Sequence, residues 1–107
     1  MGNKFFFKPI GSNDDIRLRF EFNLRQGKVK QFLVQLELHV RGKWKPVVRY
    51  DNAHDFPHRD VLDTKGRLVE KTLLKLGTLD EIIEYAEQDL ADRVDWYIER
   101  FLKTRDL

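Results

Sequence analysis

Apolar and polar side chains alternate with period two along two long runs of this chain. In the first, Ile16, Leu18, Phe20, Phe22 and Leu24 are separated by Arg17, Arg19, Glu21 and Asn23, the pattern of a strand with one buried and one solvated face. In the second, Phe32, Val34, Leu36, Leu38 and Val40 are set against Leu33, Gln35, Glu37, His39 and Arg41. Gly27 lies between the runs and can take a positive φ, so the pair predicts an antiparallel hairpin. Arg17, Arg19, Gln35, Glu37, His39 and Arg49 are then expected on its outer face.

A second glycine turn at Gly42 leads to Trp44 and a third strand over Pro46–Tyr50. Pro46 has no N–H to donate, which places it at the start of that strand or on an unpaired edge. Residues 51–57 have no period, and Pro57 biases the residue before it away from helix, so a loop is expected there. After the turn signal at Asp63–Gly66, Arg67–Leu74 reads as a strand of ambiguous facing. Ahead of the first hairpin, Phe5–Phe7 is a short candidate edge strand, followed by a turn signal through Gly11, Ser12, Asn13, Asp14 and Asp15.

From Thr78 the period changes to three and four, through Ile82, Ala86, Leu90, Val94, Tyr97, Ile98 and Phe101. Thr78 and Glu81 form a capping box, and Asp80, Glu81 and Glu84 suit the positive end of a helix dipole. Arg100, Lys103 and Arg105 suit its negative end. The pattern predicts one amphipathic helix to about Lys103, ~40 Å long. A nine-residue strand spans only ~30 Å, so Trp96, Tyr97, Phe101 and Leu102 are expected to overhang the sheet and to be covered in a homodimer through the C-terminal helix. The predicted fold class is α+β, a four- or five-stranded antiparallel meander packed on one long C-terminal amphipathic helix. One domain fills residues 1–107: an N-terminal segment at 1–15, the sheet at 16–76 and the helix at 78–105.

Composition narrows the function. The chain is 41% hydrophobic and 36% charged, so it folds and carries a dense surface charge. It has no cysteine, which removes disulfides, thiolate metal sites and cysteine nucleophiles. No apolar run nears the ~20 residues of a membrane span, and a cytoplasmic protein without a membrane partner is expected. Residues 1–77 hold 16 Lys/Arg against 9 Asp/Glu, while residues 78–107 hold 4 against 9. The charges of +7 and −5 make a basic body beside an acidic helix, suited to a polyanion on one side or to internal complementarity. Gly-rich phosphate loops, nucleophile elbows and zinc-protease helix motifs are absent from the sequence.

The densest chemistry is in Trp44–Asp60. His54 and His58 could serve as general base and acid in metal-independent RNA cleavage, because imidazole supplies both protonation states near neutrality. Asp51 would orient one of them, and Arg49 or Arg59 would stabilise developing phosphorane charge. Arg17, Arg19 and Trp44 are candidates for phosphate contact and base stacking. His54, His58 and Asp60 (or Asp51) also form a nitrogen–oxygen set for a divalent ion, though Pro57 interrupts the spacing and no cysteine completes it. No cofactor is expected. The same residues have a plainer reading, as a hydrogen-bonded clamp that orders a loop.

The run from Val47 to Asp60 resembles small uncharacterised prokaryotic proteins built around an R-Y-D-x-A-H-x-F-x-H-x-D core. The similarity extends over Gly42 to about Asp89, nearly half the chain. Through Tyr50, Asp51, Asn52, His54, Pro57 and His58 it is also loosely similar to the TumE-type toxin family of toxin–antitoxin pairs. That likeness implies an RNA target and an antitoxin partner, while the closer resemblance implies Arg49, Asp51, His54, His58 and Asp60 as the site. The expectation is a toxin acting on RNA by histidine acid/base chemistry. The alternative is a non-catalytic dimeric binding or accessory module with a structural His/Asp/Arg loop.

Overall fold

The computed structural model describes residues 2–11, 14–53, 56–75 and 77–104. His54, Arg105 and the Ser12–Asn13 part of the first turn lie outside the described residues.

Six strands run in chain order across one antiparallel sheet: β1 (Gly2–Pro9), β2 (Ile16–Arg25), β3 (Lys28–Val40), β4 (Lys43–Asp51), β5 (His58–Leu62) and β6 (Leu68–Leu73). Two helices follow, α1 (Leu79–Asp92) and α2 (Val94–Lys103). The expected hairpin forms as β2–β3, and the glycine turns at either end of β3 each hold two consecutive positive φ values: Gln26 with Gly27, and Arg41 with Gly42. Mirror-image turns of this kind match the right-handed twist of the strands they join.

The expected fold class needs two corrections. The sheet has six strands rather than four or five. Phe5–Phe7 belong to a full edge strand whose register with β2 runs from Gly2↔Leu24 to Pro9↔Arg17, so the N-terminal segment is part of the sheet. His58–Leu62, too polar to read as a strand, pairs with β4 on one side and β6 on the other. The second correction concerns the helix. It breaks at Arg93, whose φ of −115° and ψ of 22° leave the helical region. Ile82, Ala86, Leu90 and Val94 are spaced four apart, and four residues advance a helix by ~400°, so each step drifts ~40° around the axis. Over three steps the stripe would wind off the sheet. The break at Arg93 resets it, so that Val94, Tyr97 and Phe101 face inward again. Tyr97 and Phe101 are each 2% exposed, and only Trp96 and Leu102 of the expected overhang stay at the surface. The apolar overhang that motivated a helix-mediated dimer is thus taken up by the core.

The helices cover one face only, α1 over β3 and α2 over β4. Register places Leu18, Leu36 and Val48 in one row and Phe20, Val34, Tyr50 and Arg59 in the next, all on the covered face. Leu18, Val34, Leu36, Val48, Tyr50, Ala86 and Leu90 are fully buried, and a leucine so placed contributes ~1.5–3 kcal/mol. Thr78 accepts from the Glu81 N–H while the Glu81 carboxylate accepts from the Thr78 N–H, closing the expected capping box. Pro46 sits within β4 opposite Glu37, at a register shift, and beyond the reach of β5, whose pairing begins at Val48↔Val61. A bulge beside an unpaired edge is where a strand tolerates proline. Among the described residues, no helix is long and apolar enough to cross a membrane.

Candidate functional site

The uncovered face of the sheet brings most of the candidate residues together. Cross-strand register aligns Phe7, Arg19, Gln35, Arg49, Asp60 and Lys71 in one row, and Phe5, Glu21, Leu33, Asp51, His58 and Leu73 in its neighbour. Arg17 pairs with Glu37 in the row on the other side. The alternation of β2 and β3 is sufficient to put Arg17, Arg19, Gln35 and Glu37 here. Arg49, Asp51, His58 and Asp60 join them through β4 and β5.

Three arginines are anchored through Nε. Arg17 Nε donates to Glu37 Oε1 at 2.8 Å, Arg19 Nε to Glu21 Oε2 at 2.7 Å, and Arg49 Nε to Gln35 Oε1 at 2.7 Å. Gln35 Nε2 in turn donates to Glu37 Oε2 at 2.6 Å, so Gln35 and Glu37 form a buried polar floor, 6% and 3% exposed. The terminal amino groups of all three guanidinium forks have no hydrogen-bond partner among the described residues. Arg17 is also held between two rings, 3.7 Å from the Phe7 centroid and 3.9 Å from that of Trp44, and Arg19 lies 4.8 Å from Phe5. Such stacking fixes a guanidinium plane before any ligand arrives.

His58 is placed differently from a free acid or base. It is 5% exposed. Its Nδ1 lies 2.8 Å from the Phe56 carbonyl and its Nε2 lies 2.9 Å from Asp51 Oδ1 and 3.5 Å from Asp60 Oδ2. A carbonyl only accepts, so Nδ1 donates to it, while Nε2 faces the Asp51 carboxylate. Both ring nitrogens are therefore engaged. Asp60 Oδ1 is buried without a hydrogen bond, and Lys71 Nζ is the nearby cation at 3.9 Å. Asn52 ties the same loop to β3, accepting from Phe32 N–H at 3.0 Å and donating to the Lys30 carbonyl at 2.9 Å. Among the described residues no group of three or more His, Asp and Glu side chains is arranged to hold a metal ion.

Arg59 faces away from this surface. It follows Tyr50 onto the covered side, where Nη1 donates to the Tyr97 hydroxyl at 3.2 Å and Nη2 to Glu70 at 2.9 Å and Thr72 at 3.3 Å. Its neighbour Asp89, 8% exposed, accepts from the Tyr50 hydroxyl at 2.7 Å and the Tyr97 hydroxyl at 2.6 Å on one oxygen. Burial first, then donation to Asp89, pushes both phenols up, Tyr97 to about 12. This core network was not legible beforehand. Asp89 reads locally as one more acid on an acidic helix, and only its place among Ile82, Ala86 and Leu90 on the apolar stripe marks it out. Phe5 and Phe7 were missed as site residues because three adjacent phenylalanines have no period.

Comparison with curated proteins and comparison with solved structures each found no match. A family model does match, over residues 1–107. The chain therefore belongs to the family defined by a domain of unknown function, DUF7718.

Proposed function

We propose that this protein is a binding module for single-stranded RNA, which lies across the open face of the sheet over Arg17, Arg19 and Arg49. The observation that carries the reading is the set of three guanidinium forks anchored through Nε, with their terminal amino groups unpartnered among the described residues. Successive arginines on β2 recur ~7 Å apart along the strand, and each fork is shaped for a phosphate oxygen pair. Phe5 and Phe7, 52% and 41% exposed, provide ring faces for unpaired bases. The likeness of Tyr50–His58 to the TumE-type toxins supports RNA as the polyanion.

The loop at His58 serves this surface as a clamp. His58 locks β5 to β4 through Asp51, and with both of its ring nitrogens occupied His58 itself has no free base to offer to a ribose hydroxyl. In this reading the protein binds RNA and leaves it intact. The test is fluorescence anisotropy of a labelled nine-nucleotide RNA, with the DNA of the same sequence as a second arm and gel analysis of the recovered RNA. Trp44→Ala frees Arg17 from its clamp and should weaken RNA binding roughly tenfold, about 1.4 kcal/mol. Full-strength binding by a folded Trp44→Ala variant, or tighter binding of the DNA, would sink the proposal. Cleaved RNA that disappears with His58→Ala would restore the acid/base reading.

A further inference from the structure

Next to the arginines, the open face is indented by a cleft of about 390 Å³ between β1, β2, β3 and the end of β4. Its walls include Phe5, Glu21, Asn23, Gln31, Asp51 and Asn52. We propose that this cleft reads one unpaired guanine of the bound strand, with Glu21 accepting from the base's N1–H and N2–H and Phe5 stacking on its ring. The inference rests on the RNA-binding reading and adds a base preference to it.

The chemistry of the lining selects the ligand. Glu21 Oε2 accepts from Arg19, which holds the carboxylate in place, while Oε1 has no partner among the described residues. Asp51 Oδ1 is already committed to His58 Nε2 and to the Ala53 N–H at 3.1 Å. Asn52 is spent on the backbone of β3. The accessible acceptor is the Glu21 carboxylate, whose side chain is 42% exposed against 13% for Asp51. A carboxylate can only accept. Guanine presents two adjacent donors on its Watson–Crick edge, matching two carboxylate oxygens. Cytosine and adenine each present one amino group beside an acceptor, and uracil presents one imino group between two carbonyls. Asn23 and Gln31 face each other across β2 and β3 on the same wall, and their amides can donate to the guanine O6.

Position agrees with chemistry. Glu21 is two residues beyond Arg19 on the same face of β2, ~7 Å along the strand. Phe5 stands directly opposite Glu21 across β1. A strand whose phosphates lie on Arg17 and Arg19 brings its next base over the cleft.

The experiment compares oligouridine of nine residues with the same strand carrying guanine at its centre, and with inosine there, which lacks the 2-amino donor. Anisotropy titrations should give the wild type about a tenfold preference for the guanine strand, as a bidentate base contact gives, with inosine intermediate. Glu21→Gln should bring the guanine-to-uracil ratio close to one. The ratio is the readout, because Glu21 also anchors Arg19. Equal binding of all three strands by the wild type would overturn the cleft assignment while leaving RNA binding in place. A guanine preference that survives in Glu21→Gln would do the same. If none of the strands binds, the RNA-binding reading falls and this inference with it.

Discussion

Replacing His58 by alanine should destabilise the fold. The imidazole is 5% exposed and makes a contact at 2.9 Å to Asp51 and one at 2.8 Å to the Phe56 carbonyl. A hydrogen bond to a charged group is worth ~1.5–3 kcal/mol and a neutral one ~1. Its loss also leaves Asp51 and Asp60 facing one another, each 13% exposed in the side chain, without the imidazole between them. The sum is about 3 kcal/mol, a large part of the ~5–15 kcal/mol that holds a small domain together. For a chain of this size that is a fall of about 12 °C in Tm. Differential scanning calorimetry reads the shift. Urea denaturation of His58→Ala, Asp51→Ala and the double variant reads the coupling, expected at about 1.5 kcal/mol or more. A Tm within about 3 °C of the parent, together with a coupling near zero, would refute the clamp.

The remaining expectations concern the core and the helices. The Tyr97 phenol is held at about 12 in the fold against ~10 in an unfolded chain, so its contribution to stability is complete below pH ~10 and is lost as pH rises toward 12. Urea midpoints should therefore fall more steeply between pH 10 and 12 for the parent than for Tyr97→Phe, and equal slopes would contradict the Asp89 network. Phe101→Asp places a charge in the core and should cost more than ~3 kcal/mol, whereas Trp96→Asp loses surface ring contacts with Arg93, Arg100 and Tyr97, ~1 kcal/mol. Similar losses from the two would mean that α2 faces the other way. Thr78→Ala should cost ~1 kcal/mol by opening the capping box, visible as a lower urea midpoint.

How far these features could be read ahead depended on whether the cause was local. The β2–β3 hairpin, its outer row of Arg17, Arg19, Gln35 and Glu37, and the Thr78–Glu81 cap follow from period and spacing alone, and all stand in the structure. β5 was illegible because its polar residues are stabilised by distant partners: His58 by Asp51 across the ladder, and Arg59 by Tyr97 and Glu70. A strand that buries charge looks like a loop until its partners are known. β1 was only hinted at, since what makes it a strand is eight residues of pairing with β2 rather than any alternation of its own. The helix break at Arg93 lay in a numerical detail, the strict fourfold spacing from Ile82 to Val94, that an amphipathic stripe conceals. The site residues divided in the same way. Arg17, Arg19 and Arg49 share a face as expected, but Arg59 has the opposite parity on β5 and points into the core.

The central claim, that anchored arginines on the open sheet bind RNA phosphates, is tested most directly by the salt dependence of binding. Three phosphate contacts predict that log K falls with log salt at a slope of about −2, and that Arg17→Ala makes the slope shallower by about 0.7. Anisotropy titrations of a nine-nucleotide RNA between low and moderate salt measure both values. A wild-type slope near −2 that flattens in the variant supports the account. A slope that Arg17→Ala leaves unchanged, or the absence of binding at low salt, would contradict it.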